Sequence, residues 1–194
     1  MRNAEVERRT KETQIRIKLE LDGRGTYDVS TGIGFLDHML ALFSVHGFFD
    51  LSVIAKGDIN VDCHHTVEDV GLVLGDALSS ALGDRKGISR YGHAVTPMDD
   101  ALSSVTIDLS NRPYLVLNAP LISGQQDTMG IYLVKEFFRA VSNRAGMNLH
   151  INVRYGENLH HIVESVFKGF GRALDQATAL DSRITGVRSS KGAL

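Results

Sequence analysis

The chain has 194 residues, 43% apolar, 23% charged and 7% aromatic, which suits one ordinary domain or two small halves sharing a core and excludes collagen-like, coiled-coil and disordered classes. Its 21 Lys and Arg against 23 Asp and Glu give a formal charge of −2, which argues against a general affinity for nucleic acid or an anionic membrane and leaves room only for a local basic pocket. No apolar run approaches the ~18–20 residues of a membrane span, the opening MRNAEVERRTKETQ reads as no secretory signal, and one cysteine, Cys63, forms no internal disulfide, so a cytoplasmic setting is expected.

In chain order, AEVERRT and TQIRIKLEL alternate polar and apolar residues as strands, and GTYDVS suits a third. GFLDHMLALFSVHG then reads as an amphipathic helix, with Phe35, Met39, Leu42 and Phe43 at helical spacing. DLSVIAKGD follows as a strand, and a helix over His64–Leu82 closes the first half. The second half begins with GHAVTPMDD and ALSSVTIDLS as a hairpin, then the strand PYLVLNA. The helix IYLVKEFFRAVSNRAG, the strand NLHINVRYG and a helix starting near His160 complete it. Each half runs strand, strand, strand, helix, strand, helix. The expectation is an α+β fold built by internal duplication, each unit a small mixed sheet with two helices on one face, the helices packed between the two sheets. Residues 1–88 form the first repeat and 89–194 the second, in one cooperative unit, because no Pro/Ser-rich linker separates them near residues 83–89. The tail SSKGAL is too polar to be core.

The duplication is explicit in two segments. HHTVEDVGLVLGDAL, from His64, and HHIVESVFKGFGRAL, from His160, align without a gap and are identical at eight of fifteen positions. Helical periodicity explains shared aliphatic residues but not a repeated His-His-x-x-Glu.

Residues four apart on a helix share a face, so His64 with Glu68, and His160 with Glu164, converge on one ion each while His65 and His161 project elsewhere. A doubled histidine with one glutamate therefore suits two metals, and further ligands have to come from other helices or subunits. His38 and Glu136, on the matching first helices, are the candidates. Such a set leaves exchangeable positions for substrate, and its donors fit Mn²⁺, Fe²⁺, Co²⁺ or Zn²⁺ without choosing among them. A single His-x-x-x-Glu is usually a surface or capping pair; two identical sets in registered repeats reverse that expectation. His46 and His93 each suit a hydrogen-bonded structural role, and His150 an outward strand position. A dinuclear hydrolase or oxidase, or a metal-nucleated assembly without catalysis, are the competing classes. Ferritin-like sites favour Glu-x-x-His and more carboxylates, which counts against an oxidase.

The strings GFLDHML, HHTVEDVG, YGHA with MDDAL, HHIVES with FK, and the terminal SSKG together resemble the imidazoleglycerol-phosphate dehydratase family of histidine biosynthesis, along essentially the whole chain. That resemblance implies two Mn²⁺ per active site and a 24-subunit particle whose sites are shared between neighbouring subunits. It implies one metal held by His38, His65, His160 and Glu164 and the other by His64, Glu68, Glu136 and His161. Glu136 stands where relatives place histidine; a carboxylate still ligates Mn²⁺. It implies phosphate contacts from Arg90, Arg112, Lys168, Ser190 and Lys191, which would make the tail a substrate-binding lid. His46 is kept as a further candidate substrate contact.

The implied reaction removes water from imidazole glycerol phosphate to give imidazole acetol phosphate. The proton to be lost sits on a carbon with no carbonyl neighbour, so direct removal is prohibitive. The expected route runs through a metal-bound imidazolate that expels the adjacent hydroxyl to give a diazafulvene-like intermediate, after which the next carbon loses its proton. Glu12, in TKETQIRI, matches the family's substrate-contacting glutamate and is the candidate proton shuttle. Glu68 and Glu164 are the other catalytic candidates.

Overall fold

The computed structural model describes residues 2–119 and 130–194. Strands β1 (Asn3–Arg9), β2 (Thr13–Glu20), β3 (Tyr27–Ser30) and β4 (Asp50–Gly57) form one sheet in the order β1-β2-β4-β3. Strands β5 (Tyr91–Met98), β6 (Ala101–Asp108), β7 (Tyr114–Asn118) and β8 (Asn148–Tyr155) repeat that order as β5-β6-β8-β7. In each sheet the first two pairings are antiparallel and the last is parallel. A parallel neighbour cannot be reached through a tight turn. Helices α1 (Gly34–Gly47) and α3 (Ile131–Ala145) make those crossovers, and α2 (His64–Leu82) and α4 (Leu159–Thr178) follow β4 and β8. The duplicated α+β plan expected from the sequence is the plan observed.

Alternation places the sheets. β2 buries Thr13, Ile15, Ile17 and Leu19 and turns Gln14, Arg16 and Lys18 outward. β6 likewise buries Ala101, Ser103, Val105 and Ile107. α2 lies on β1 and β2, and α4 lies on β5 and β6, while α1 packs along α4 and α3 along α2. The two most extensive helix pairings therefore join one half to the other, and the helices fill the space between the sheets. Phe43 of α1, Phe170 and Phe167 of α4 and Phe138 of α3 form a continuous aromatic chain with centroids 4.9–5.3 Å apart, a contact range worth about 0.5–1.5 kcal/mol per pair beyond area burial.

The repeated glycines set how close these helices come. A Cβ on Gly75 would lie 2.9 Å from the Val141 carbonyl oxygen of α3, and one on Gly171 would lie 2.6 Å from the Phe43 carbonyl oxygen of α1. Both approaches exclude a side chain, which gives a physical reason for glycine at both places.

One detail differs from the periodic reading. On α1 the buried arc runs through Leu36, Met39, Leu40 and Phe43, whereas Phe35 and Leu42 are only partly buried and pack on its margin. The direction from which α4 covers α1, and not the count of apolar residues, selects the arc.

Candidate active site

The start of α4 is fixed by Asn158, whose side-chain oxygen accepts from the backbone N–H groups of His160 and His161 at 2.9 and 3.4 Å, an N-cap that orients the histidine-bearing turn. α2 has no such side-chain cap at Cys63, and the Asp62 carboxylate just before it accepts from the His64 N–H at 2.7 Å. Because α1 runs beside α4, His38 meets the next turn of that helix. Glu164 Oε2 lies 3.2 Å from His160 Nε2 and 3.6 Å from His38 Nε2. Ligand atoms of His38, His160 and Glu164 all lie within 4.8 Å of one another, the one such His/Cys/Asp/Glu trio among the described residues.

Glu164 is 6% exposed, and its other oxygen is 2.6 Å from Lys168 Nζ. Burial pushes the carboxyl pKa up, but the Lys168 hydrogen bond and charge, joined by His38, outweigh it and hold the group below its ordinary value. An anionic carboxylate flanked by two imidazoles is the donor chemistry a Mn²⁺-class ion takes.

The matching place between α2 and α3 is looser. His64 Nε2 and Glu68 Oε2 are 3.5 Å apart, and Tyr132 of α3 stacks on the His64 ring with centroids 5.8 Å apart. Glu136, buried on α3, turns its Oε2 to Arg139 Nη1 at 3.0 Å. Among the described residues, Glu136 forms no cluster of ligand atoms with His64 and Glu68 like the one that joins His38, His160 and Glu164; its carboxylate pairs with Arg139 three residues along α3.

His65 and His161 do not join that trio and pair with other carboxylates. His65 Nδ1 is 3.0 Å from Asp58 Oδ2 and 3.9 Å from Glu12 Oε2. His161 Nδ1 is 2.5 Å from Asp100 Oδ1, and its Nε2 is 3.6 Å from Asp99 Oδ2. The Asp58 hydrogen bond raises the His65 pKa and the Asp100 hydrogen bond raises that of His161. Asp100 in turn is held well below the usual carboxylate range by His161 and by the N–H groups of Glu157 and Asn158.

A separate cavity of about 340 Å³ is lined by Arg90, Arg112, Ser190 and Lys191 among others. Arg90, 8% exposed, grips Asp108 with Nε at 2.6 Å and Nη2 at 3.0 Å and donates through Nη1 to the Arg188 carbonyl oxygen at 2.6 Å. It thereby ties the tail to the hairpin at the cavity wall.

The description "Imidazoleglycerol-phosphate dehydratase" belongs to the family model that matches residues 31–174. A protein of that name from Desulfosudis oleivorans is 61% identical over 193 residues, covering 100% of this chain and 99% of its own. One from Geobacter sulfurreducens is 58% identical over the same span, again covering 100% and 99%. The solved structure of the dehydratase from Pyrococcus furiosus in complex with (S)-C348 has a TM-score of 0.85 at 36% identity, covering 97% of this chain and 100% of that one. The Staphylococcus aureus enzyme has a TM-score of 0.82 at 39% identity, covering 92% and 99%. The chain belongs to the imidazoleglycerol-phosphate dehydratase family. It is an enzyme of the hydro-lyase class.

Against the residues the family resemblance implies, the chain brings together His38, His160 and Glu164, with Lys168 alongside. It gathers Arg90, Arg112, Ser190 and Lys191 at one cavity but keeps Lys168 apart, beside Glu164 and 3.4 Å from Met98 Sδ. His46, half-buried on the last turn of α1, has its pKa lowered by burial and by the Lys168 and Arg172 charges, so it stands near α4 rather than at the tail. His150 is exposed on β8, and His93 Nδ1 pairs with Thr106 Oγ1 at 2.9 Å. Asp58, Asp100, Tyr132 and Arg139 escape sequence reasoning. Asp100 alone carried a signal, as part of the MDDAL string.

Proposed function

We propose that this member of the dehydratase family removes water from D-erythro-imidazole glycerol phosphate with two Mn²⁺ ions per active site. The His38–His160–Glu164 trio carries the reading, since its donors suit such an ion and nothing else in the chain's architecture calls for them to converge. His38, His160 and Glu164 would hold one ion with His65 from another copy; His64, Glu68 and Glu136 would hold the second with His161. Bound there, Mn²⁺ would act as a Lewis acid that makes the substrate's imidazole easier to deprotonate.

The rest falls to the chain's own groups. Glu12 stands at the edge of the β1–β2 turn, 57% exposed in its side chain and beyond hydrogen-bond distance of His65. A carboxylate so placed is available to take the proton from the carbon next to the departing hydroxyl. The C–O bond at the ring-side carbon breaks and the hydroxyl leaves as water with the proton given up by the ring N–H. Loss of the next carbon's proton to Glu12 leaves an enol, which becomes the ketone as Glu12 returns that proton to the ring-side carbon and the enol O–H proton restores the ring N–H. Arg112, Lys191 and the Ser190 hydroxyl would hold the phosphate, with Arg90 bracing the tail against the cavity.

The outward imidazoles support assembly: in one chain His65 and His161 meet no trio, so a full ligand set needs a second copy. The reading includes the 24-subunit particle and a cytoplasmic setting. No helix among the described residues is long and apolar enough to cross a membrane.

The test is metal analysis with a dehydration assay. Glu164→Ala should lose about one Mn²⁺ per subunit and nearly all turnover. Glu12→Gln should keep both ions while turnover falls by about 10²–10⁴-fold. Full Mn²⁺ content in Glu164→Ala would remove the trio from the metal site, and normal turnover in Glu12→Gln would remove Glu12 from the chemistry.

A further inference from the structure

The two halves orient their outward histidines by different means, and the difference bears on Glu12. The buried residues Thr13, Ile15, Ile17 and Leu19 of β2 correspond in order to Ala101, Ser103, Val105 and Ile107 of β6. The residue just before each run is therefore Glu12 in one half and Asp100 in the other, both in the turn of the first hairpin. In the second half that turn carboxylate is spent on the histidine, since Asp100 Oδ1 lies 2.5 Å from His161 Nδ1. In the first half the same place holds Glu12, and it stands off at 3.9 Å from His65 Nδ1. The contact is made instead by Asp58, from the loop between β4 and α2, at 3.0 Å.

We infer that Asp58 and Asp100 are positioning residues that hold His65 and His161 for metal ligation, and that Asp58 relieves Glu12 of that duty and leaves it available for proton transfer. The inference rests on the metal reading above. A carboxylate that accepts from Nδ1–H fixes the tautomer in which Nε2 carries the lone pair, and it makes that nitrogen a better donor. Both aspartates sit on the Nδ1 side, so both rings offer Nε2. Asp99, 3.6 Å from the His161 Nε2, faces the atom an ion would take and is not part of the brace.

Asp58 is the cleaner probe, because Asp100 also accepts from the backbone N–H groups of Glu157 and Asn158 at 2.6 and 3.0 Å and helps shape the entry to α4. The experiment titrates Mn²⁺ into the metal-stripped full chain, reading affinity by the electron-spin signal of free ion and stoichiometry by elemental analysis. Asp58→Ala should weaken one class of site about 10–100-fold. Asp58→Asn should recover part of the loss, because the amide oxygen still accepts from Nδ1–H. Glu12→Gln alone should leave affinity unchanged. Combined with Asp58→Ala, it should weaken binding further than the two changes do separately, since without Asp58 it is Glu12, 3.9 Å away, that remains to face the His65 Nδ1. Asp100→Asn should stay folded and keep most of its affinity, with Asp100→Ala weakening the other class. If Asp58→Ala binds Mn²⁺ as the parent does while Glu164→Ala loses it, the positioning role is refuted and the metal reading stands. If Glu164→Ala also keeps its ions, the metal reading itself falls.

Discussion

Arg85 is 5% exposed and donates to three main-chain oxygens, those of Leu109 and Gly146 at 3.1 Å each and that of Ala145 at 2.6 Å. It thus pins the end of β6 to the end of α3 from the segment joining the halves. Removing it strands three buried acceptors, each able to cost about 1–3 kcal/mol. Arg85→Met should therefore lower the unfolding free energy by roughly 2–4 kcal/mol, read from the denaturant midpoint, with metal content at saturating Mn²⁺ unchanged. Asp50 offers a contrasting case of pH dependence. Hydrogen bonds from the Arg24 N–H at 2.8 Å and from Thr26 lower its pKa below the ordinary carboxylate value. A depressed folded-state pKa adds stability above the unfolded value of ~3.9 and loses it as pH falls through the folded value. Asp50→Asn should lower stability at neutral pH and so flatten the fall that the parent shows below about pH 4, the two converging at low pH. The partners of single residues were the least legible part of the sequence. Asp58 lies seven residues before His65 but across the loop between β4 and α2, so their contact follows no helical period, and Arg139 draws Glu136 aside in a way that spacing alone does not foretell.

Elements read far better than partners. The helices over 34–47 and 64–82 lie where the apolar periodicity and the His-His start place them, and every strand falls within a residue or two of its alternating segment. Local pattern decides whether a segment is helix or strand. It does not decide which helix lies beside which, and that is why the convergence of His38 on His160 and Glu164 needed either the fold or the family resemblance. The glycine contacts give this scale its prediction. Gly171→Ala would set a methyl against the Phe43 carbonyl oxygen at 2.6 Å, and overpacking of this kind costs about 1–3 kcal/mol. The separation it forces is between the two helices that carry the trio. Mn²⁺ affinity should fall in Gly171→Ala by more than in a core variant of equal stability loss far from α1, such as Ile107→Val. Equal affinities at matched stability would show that helix spacing does not govern the site.

At the scale of the molecule, the core is one connected cluster drawing on both sheets and all four helices, and none of the proposed ligand groups belongs to it, although Glu136 and Glu164 are buried. Cohesion and metal binding therefore separate. Chelation should leave the helical content nearly unchanged by circular dichroism while the native mass shifts toward smaller species, and added Mn²⁺ should restore the particle. Unfolding on chelation would show that the ions hold the core itself. The duplicated plan was visible in the sequence because eight matches in fifteen residues survive at the histidine helices. The pairing of Glu136 with Arg139 was not, because both residues lie outside the repeated segments.

The pairing of α1 with α4 and of α2 with α3 bears on descent. A single unduplicated unit would have carried two naked greasy helices and, at most, a fragment of a ligand cage. Two identical copies of such a unit, packed as the halves are here, would cover those helices, and their twin cages would necessarily be alike. Joining them in one chain ends that obligation, since a change at one copy no longer alters its twin. A histidine at 38 opposite a glutamate at 136, and a turn carboxylate that stands 3.9 Å from an imidazole on one side and 2.5 Å from one on the other, are the divergences such an arrangement permits.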